Sequence, residues 1–159
     1  MIAISACLLG FPCRYNATHA LSLLHADLLK DLTILPFCPE ILGRLSVPRE
    51  PSEIIGGSGA DVWTKKAFVI SSSGRNVTDH FLIGALNTKK LLDLNQVELV
   101  IVKDKSPSCG KTLIYDGSFK GKLIKGDGVT TAYLRQTGFN VYHEGEMAAL
   151  TDWKKERGW

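Results

Sequence analysis

The chain has 159 residues, 45% of them hydrophobic and 22% charged, enough apolar material for one globular core and too much for a disordered chain. A net charge of +3 from scattered lysines and arginines does not by itself argue for a nucleic-acid footprint, and no apolar run approaches the roughly 18 residues that span a bilayer. No basic leader precedes Met1-Ile2-Ala3-Ile4-Ser5, so the expectation is a cytoplasmic protein whose four cysteines stay as thiols and do not form a disulfide scaffold.

Ile2 to Ala6 reads as a short buried strand that exits through Cys7-Leu8-Leu9-Gly10-Phe11-Pro12-Cys13-Arg14-Tyr15, with Gly and Pro as punctuation. Leu21, Leu23, Leu24, Leu28 and Leu29 have helical spacing and supply a crossover. Thr33 to Phe37 is a second strand, placed at an edge or terminus by Pro36, and Cys38-Pro39-Glu40 follows at once. Between Pro48 and Gly59 the density of turn formers and charges predicts an ordered functional loop. Ala67 to Ser71 forms a strand, and Thr78 caps a helix with Phe81, Ala85, Leu91, Leu92 and Leu94 as its apolar contacts. The β-branched run from Val97 to Lys103 matches a central parallel strand and delivers the chain to Ser106-Pro107-Ser108-Cys109-Gly110. Leu113 to Gly117 and Gly121 to Ile124 make a small hairpin, and Gly126-Asp127-Gly128 leads into a helix closed by Gly138. A strand at Phe139 to Tyr142 and a helix from Glu144 to Lys155 complete the pattern. Strands alternating with helices predict an α/β fold, a three-layer Rossmann-like domain with a mainly parallel sheet, occupying 1–159 as a single domain.

Sites in such sheets gather outside the carboxyl ends of the strands, which makes Cys7, Cys38 and Cys109 neighbours, with Cys13 several loop residues further away. A structural zinc site wants four ligands and a close Cys-x-x-Cys pair, which this chain lacks. An iron–sulfur cubane tolerates widely separated cysteines, and three of them leave one iron open to act as a Lewis acid on a substrate atom. The competing reading is that Cys7 and Cys38 are small buried hydrophobes. Glu40 shares the same edge, where burial raises a carboxyl group toward proton transfer, unless it is a solvated loop carboxylate. Ser106 and Ser108 either hydrogen-bond a substrate or cluster sulfur, or serve only the turn that Pro107 and Gly110 impose. Arg49 can pair with Glu50, Glu53 or a polar ligand. Gly110-Lys111-Thr112 imitates the end of a phosphate loop, but Lys105 stands where that loop needs glycine. Gly126-Asp127-Gly128 reads as a helix cap before it reads as an anion site, and the four histidines show no ligand spacing.

Ser5-Ala6-Cys7-Leu8-Leu9-Gly10, Cys13-Arg14-Tyr15, Cys38-Pro39-Glu40, Pro48-Arg49, Glu53-Ile54-Ile55-Gly56-Gly57, Ser106-Pro107-Ser108-Cys109-Gly110, Ile114-Tyr115-Asp116-Gly117 and Gly126-Asp127-Gly128-Val129-Thr130 together resemble the thiouracil desulfidase family. The likeness runs from about Ser5 to Glu144. The resemblance implies a [4Fe-4S] cluster on Cys7, Cys38 and Cys109, and non-redox removal of sulfur from a thiolated pyrimidine of the 2- or 4-thiouracil type, giving uracil and sulfide. It implies that Glu40 activates water or delivers a proton, and that Ser106 transfers a proton or orients substrate, with Ser108 as its substitute and Cys13 a noncatalytic thiol. A small thiolated nucleobase is then expected as substrate ahead of thiolated tRNA. Two positions depart from the family's pattern: Ala17, where Asp-Gly usually stands for Asn16-Ala17, and Arg44, where a second glycine usually follows Gly43. These departures are expected to bear on substrate identity more than on the cluster. Two other readings are a metal- or thiol-dependent binding module for thiolated RNA and a zinc-stabilised, noncatalytic domain.

Overall fold

Ile2-Ala3-Ile4-Ser5 and Leu99-Val100-Ile101-Val102 have no charged face, so each must be covered on both sides. In the computed structural model, which describes residues 1–21 and 26–158, both lie inside one parallel sheet. Strand β1 (Ile2–Ser5) pairs in parallel with β2 (Ile34–Phe37) on one side and β5 (Leu99–Val102) on the other, and β8 (Val141–His143) extends the sheet beyond β5. The order β2-β1-β5-β8 puts Pro36 on an edge strand, where its missing N–H costs no ladder bond.

Alternation sets the two cores. Ile2, Ile4, Leu99 and Ile101 face one side and meet Leu150 and Trp153 of helix α6 (Met147–Glu156). Ala3, Val100 and Val102 face the other and meet Leu92 and Leu134, from α4 (Thr78–Leu94) and α5 (Val129–Gln136). Helices therefore cover both faces, as the three-layer expectation requires. Each fully buried Leu, Ile or Val contributes about 1.5–3 kcal/mol by leaving water, so these two strands anchor the fold. Of the expected first crossover, Leu23 and Leu24 lie outside the described residues, and α1 is the single turn Ala26–Leu29. No helix among the described residues is long and apolar enough to cross a membrane.

The structure corrects two expectations. The predicted loop between Pro48 and Gly59 contains strand β3 (Ser52–Ile55), which pairs antiparallel with β4 (Phe68–Ser71) in a separate two-stranded sheet. Ile54 is buried there against Val62, Val69 and Phe81; Pro51 and Gly56-Gly57 mask this short alternating run as turn. Thr78 does not cap α4. Val77 occupies the cap position, and the Thr78 hydroxyl accepts the N–H of Val69 at 3.0 Å, tying the helix to β4. The small hairpin forms as β6 (Leu113–Tyr115) and β7 (Leu123–Lys125).

Two short helices aim the site. α3 (Gly59–Trp63) packs on α5, with Trp63 stacked on Tyr133 at 4.5 Å between ring centroids. α2 (Pro39–Leu42) starts directly after β2 and lies so close to α4 that a Cβ on Gly84 would stand 2.1 Å from the Pro39 carbonyl oxygen.

Candidate functional site

The chain runs from β1 to β2 on one side, then returns past β1 to β5 on the other. The switch point therefore lies between β1 and β5, and a crevice must open beyond their carboxyl ends. Ser5 sits at that opening and its hydroxyl accepts the N–H of Lys103 at 3.2 Å, joining the two strand exits. Beyond them lies a cavity of about 460 Å³, lined by Cys7, Cys13, Cys38, Cys109, Glu40, Ser106 and Ser108 among others. Every residue singled out as a candidate from sequence faces this one space.

Each cysteine arrives by a local device. Cys7 lies in a 3-10 turn, Ala6–Leu9, that ends on Gly10 in the left-handed region (φ 93°). Gly10 reverses the chain, and the Phe11 N–H returns to the Ala6 carbonyl at 3.2 Å. That fold-back brings Cys13 into the cavity beside Cys7, which distance along the chain alone does not suggest. Cys38 is the residue from which α2 begins, with Pro39 in the first turn and Glu40 after it, where the helix end favours a carboxylate.

Cys109 is held most elaborately. The Ser106 hydroxyl accepts the N–H groups of Ser108 and Cys109, both at 3.1 Å. The first N–H groups of α5 do not await an anion; they bind the loop, Val129 to the Pro107 carbonyl at 2.8 Å and Thr130 to the Ser108 carbonyl at 2.9 Å. The hydroxyl of Thr131 donates to the Cys109 carbonyl at 2.8 Å, and the hydroxyls of Ser108 and Thr130 are bonded at 2.8 Å. Gly128 is required for this fit, because a Cβ there would lie 2.5 Å from the Ser108 carbonyl.

The electrostatics suit donors of sulfur. Cys7, Cys13 and Cys109 are buried. Burial, then the nearby Cys38 and Glu40, push the Cys109 thiol well above its ordinary value. The neighbouring Cys13 thiol, then burial, do the same to Cys38. The Cys13 thiol is also raised: its contact with Cys38 lowers it, but its contact with Cys7 and burial outweigh that. Cys13, Cys38 and Cys109 are thus biased toward the neutral thiol, and a metal group bound beside them would favour thiolates by supplying positive charge.

Glu40 pairs with Arg49, not with solvent, and their side chains are 14% and 9% exposed. The Arg49 guanidinium also donates to the Cys13 carbonyl at 3.0 Å and the Ser46 carbonyl at 3.1 Å. One side chain thus joins α2, the first loop and the turn before β3. Burial pushes the Glu40 carboxyl up, and the Arg49 charge and hydrogen bond only partly offset this. The partner is Glu40 and not the Glu50 or Glu53 expected from proximity in sequence; nine positions along an irregular chain leave no periodic signal. The roles of Thr130 and Thr131 were equally silent, since only the folded α5 brings them to the cysteine loop.

Among the described residues, no three His, Cys, Asp or Glu side chains are grouped around the position of a single metal ion. A four-iron cluster asks less of the sulfurs, since each thiolate binds its own iron and the sulfurs need not meet. The donor set therefore fits a cluster better than one zinc.

Sulfur sets this crevice apart from an ordinary α/β ligand site, and it defines a class of doubly covered parallel sheets that carry thiols at the switch point. The family model for 2-thiouracil desulfurase matches residues 2–146, and the chain belongs to that family. It is 45% identical over 147 residues to the uncharacterized protein YbbK of Bacillus subtilis (strain 168), covering 92% of this chain and 97% of that one. Among solved structures it resembles the [4Fe-4S]-dependent thiouracil desulfidase TudS, with a TM-score of 0.83, 36% sequence identity and 94% of each chain covered.

Proposed function

We propose that this protein removes sulfur from a thiolated pyrimidine of the 2- or 4-thiouracil type at a [4Fe-4S] cluster held by Cys7, Cys38 and Cys109. The observation that carries the reading is the meeting of these three thiols with Glu40 and Ser106 in one cavity at the switch point. The overall change is thiouracil plus water to uracil plus hydrogen sulfide, with no net electron transfer. When bound, the cluster supplies an iron without a protein ligand, a Lewis acid for the thiocarbonyl sulfur.

This chain's residues supply the proton handling and the dry walls. Glu40, with its raised pKa, takes a proton from water at the carboxylate and can return it, while Arg49 keeps that carboxylate in place. The Ser106 oxygen already accepts two backbone N–H groups, so its own hydrogen is available to a substrate atom. Ser108 is 1% exposed and bonded to Thr130, which suits it to shaping the loop. Phe37 and Phe81 contribute apolar lining that keeps bulk water out. Cys13 remains a spare thiol beside the ligands. A free base is preferred over thiolated RNA because the charge of +3 is small and scattered.

The test is anaerobic reconstitution with iron and sulfide. About four irons per chain are expected, with sulfide released from 2-thiouracil or 4-thiouracil. Alanine at Cys7, Cys38 or Cys109 abolishes iron retention, and Cys13→Ala keeps it. Ser106→Ala keeps the iron but lowers kcat by about 100-fold. Iron-loaded protein that binds thiouracil without releasing sulfide would instead leave a binding module, and loss of iron with Cys13→Ala alone would overturn the ligand set.

A further inference from the structure

Besides the thiols the cavity is lined by Tyr15, Tyr115 and Phe119, none of which has a part in the chemistry above. Phe119 stands out. It lies in the turn between β6 and β7, its backbone is left-handed (φ 57°), a conformation that a phenylalanine rarely adopts, and the residue is 38% exposed, outside the core. Core packing therefore does not account for a large ring at this place.

The turn is held by a buried carboxylate. Glu53 on β3 is 8% exposed, and its Oε2 accepts the N–H of Gly117 at 2.9 Å and of Phe119 at 3.0 Å. No ion pair to Glu53 forms among the described residues. A second carboxylate, Asp116, accepts the Ser118 N–H at 3.0 Å and closes the turn locally. A charged group desolvated to fix two backbone amides, and through them one strained aromatic residue, is a device for presentation.

We propose that Phe119 is the stacking wall of the site and that Glu53 is the positioning residue that presents it, so that the cavity selects a flat aromatic thiocarbonyl ring over a puckered one. The inference rests on the desulfuration reading for its substrate. A pyrimidine has a π-face that an aromatic side chain covers whatever its substituents, so stacking gives affinity without obstructing the sulfur. Glu53 touches no substrate and acts only through the turn.

The test compares cluster-loaded wild type and variants on 2-thiouracil and on 5,6-dihydro-2-thiouracil, which keeps the thiocarbonyl but loses the flat ring. Phe119→Ala and Phe119→Leu are expected to raise KM for 2-thiouracil by about tenfold with little change in kcat, to leave KM for the dihydro compound unaltered, and to be rescued by Phe119→Trp. Glu53→Gln, with one neutral acceptor left, should fall between wild type and Phe119→Ala. Calorimetric titration of the iron-free chain with uracil, which has no sulfur, should show the same order of affinities. If wild type binds uracil in that order but releases no sulfide, the desulfuration reading fails and the stacking wall stands. The wall is overturned if Phe119→Ala leaves both KM and uracil affinity unchanged, or if Phe119→Leu restores them.

Discussion

Ala17 and Arg44 have positive φ, 57° and 66°, and they are the two positions at which the resemblance leads one to expect glycine. A side chain with a Cβ is strained in this region by roughly 1–2 kcal/mol, whereas glycine enters it freely. The two departures thus carry a backbone consequence beside their expected bearing on substrate identity. Neither side chain is buried: Ala17 and Arg44 are both exposed, so removing them leaves no cavity. Ala17→Gly and Arg44→Gly are each expected to raise stability by about 0.5–1 kcal/mol, the strain relief less the extra freedom gained by the unfolded chain. Denaturant titration measures this, and kcat for thiouracil should not change; a specificity change in either variant would return these positions to the substrate.

At the level of elements, Cys38 and Glu40 are placed by how closely α2 can approach α4. Alanine at position 84 would gain about 1 kcal/mol in helix propensity, but its Cβ would meet the Pro39 carbonyl at 2.1 Å and that neighbour is backbone. Overlap wins, so Gly84→Ala is expected to lose about 1–3 kcal/mol and to lower iron retention, because Cys38, the proposed ligand, caps the start of α2. Thermal unfolding and iron content measure the two effects. Much of this arrangement is legible in the chain. β1 and β5 declare themselves by lacking a charged face, Pro36 marks the edge, and three cysteines stand at strand exits. What sequence does not carry is whatever depends on tertiary return: the Phe11 to Ala6 bond that brings Cys13 inward, the reach of Arg49 to Glu40, and the α5 amides spent on loop carbonyls. β3 was hidden for a different reason, its four residues being flanked by Pro51 and Gly56 that read as turn.

For the whole molecule, Asp104 couples the cysteine loop to pH. Its Oδ1 accepts the N–H groups of Lys111, Thr112 and Leu113 at 2.9, 3.0 and 3.3 Å, so it closes the loop on both sides of Cys109. Burial alone would raise this carboxyl, but the backbone amides of Thr112, Lys111, Lys105 and Leu113 outweigh it and hold the group below its ordinary value. A carboxyl depressed in the folded state contributes stability that is full above its unfolded value of about 3.9 and is lost as pH falls through the folded one. Asp104→Asn is expected to cost about 1.5–3 kcal/mol at neutral pH and to flatten the fall in stability as pH drops below the ordinary carboxyl value of about 3.9, as read by urea titration at each pH. The parallel sheet has a further consequence for the order of events in the cell. The three thiols proposed as ligands come from positions 7, 38 and 109, and they meet only when β1 has paired with both β2 and β5. These are long-range pairings of the kind that form late. A nascent or unfolded chain therefore keeps these thiols apart and offers no nest for iron, so a cluster held by them would be acquired only after the sheet has formed, and its possession would certify a finished fold.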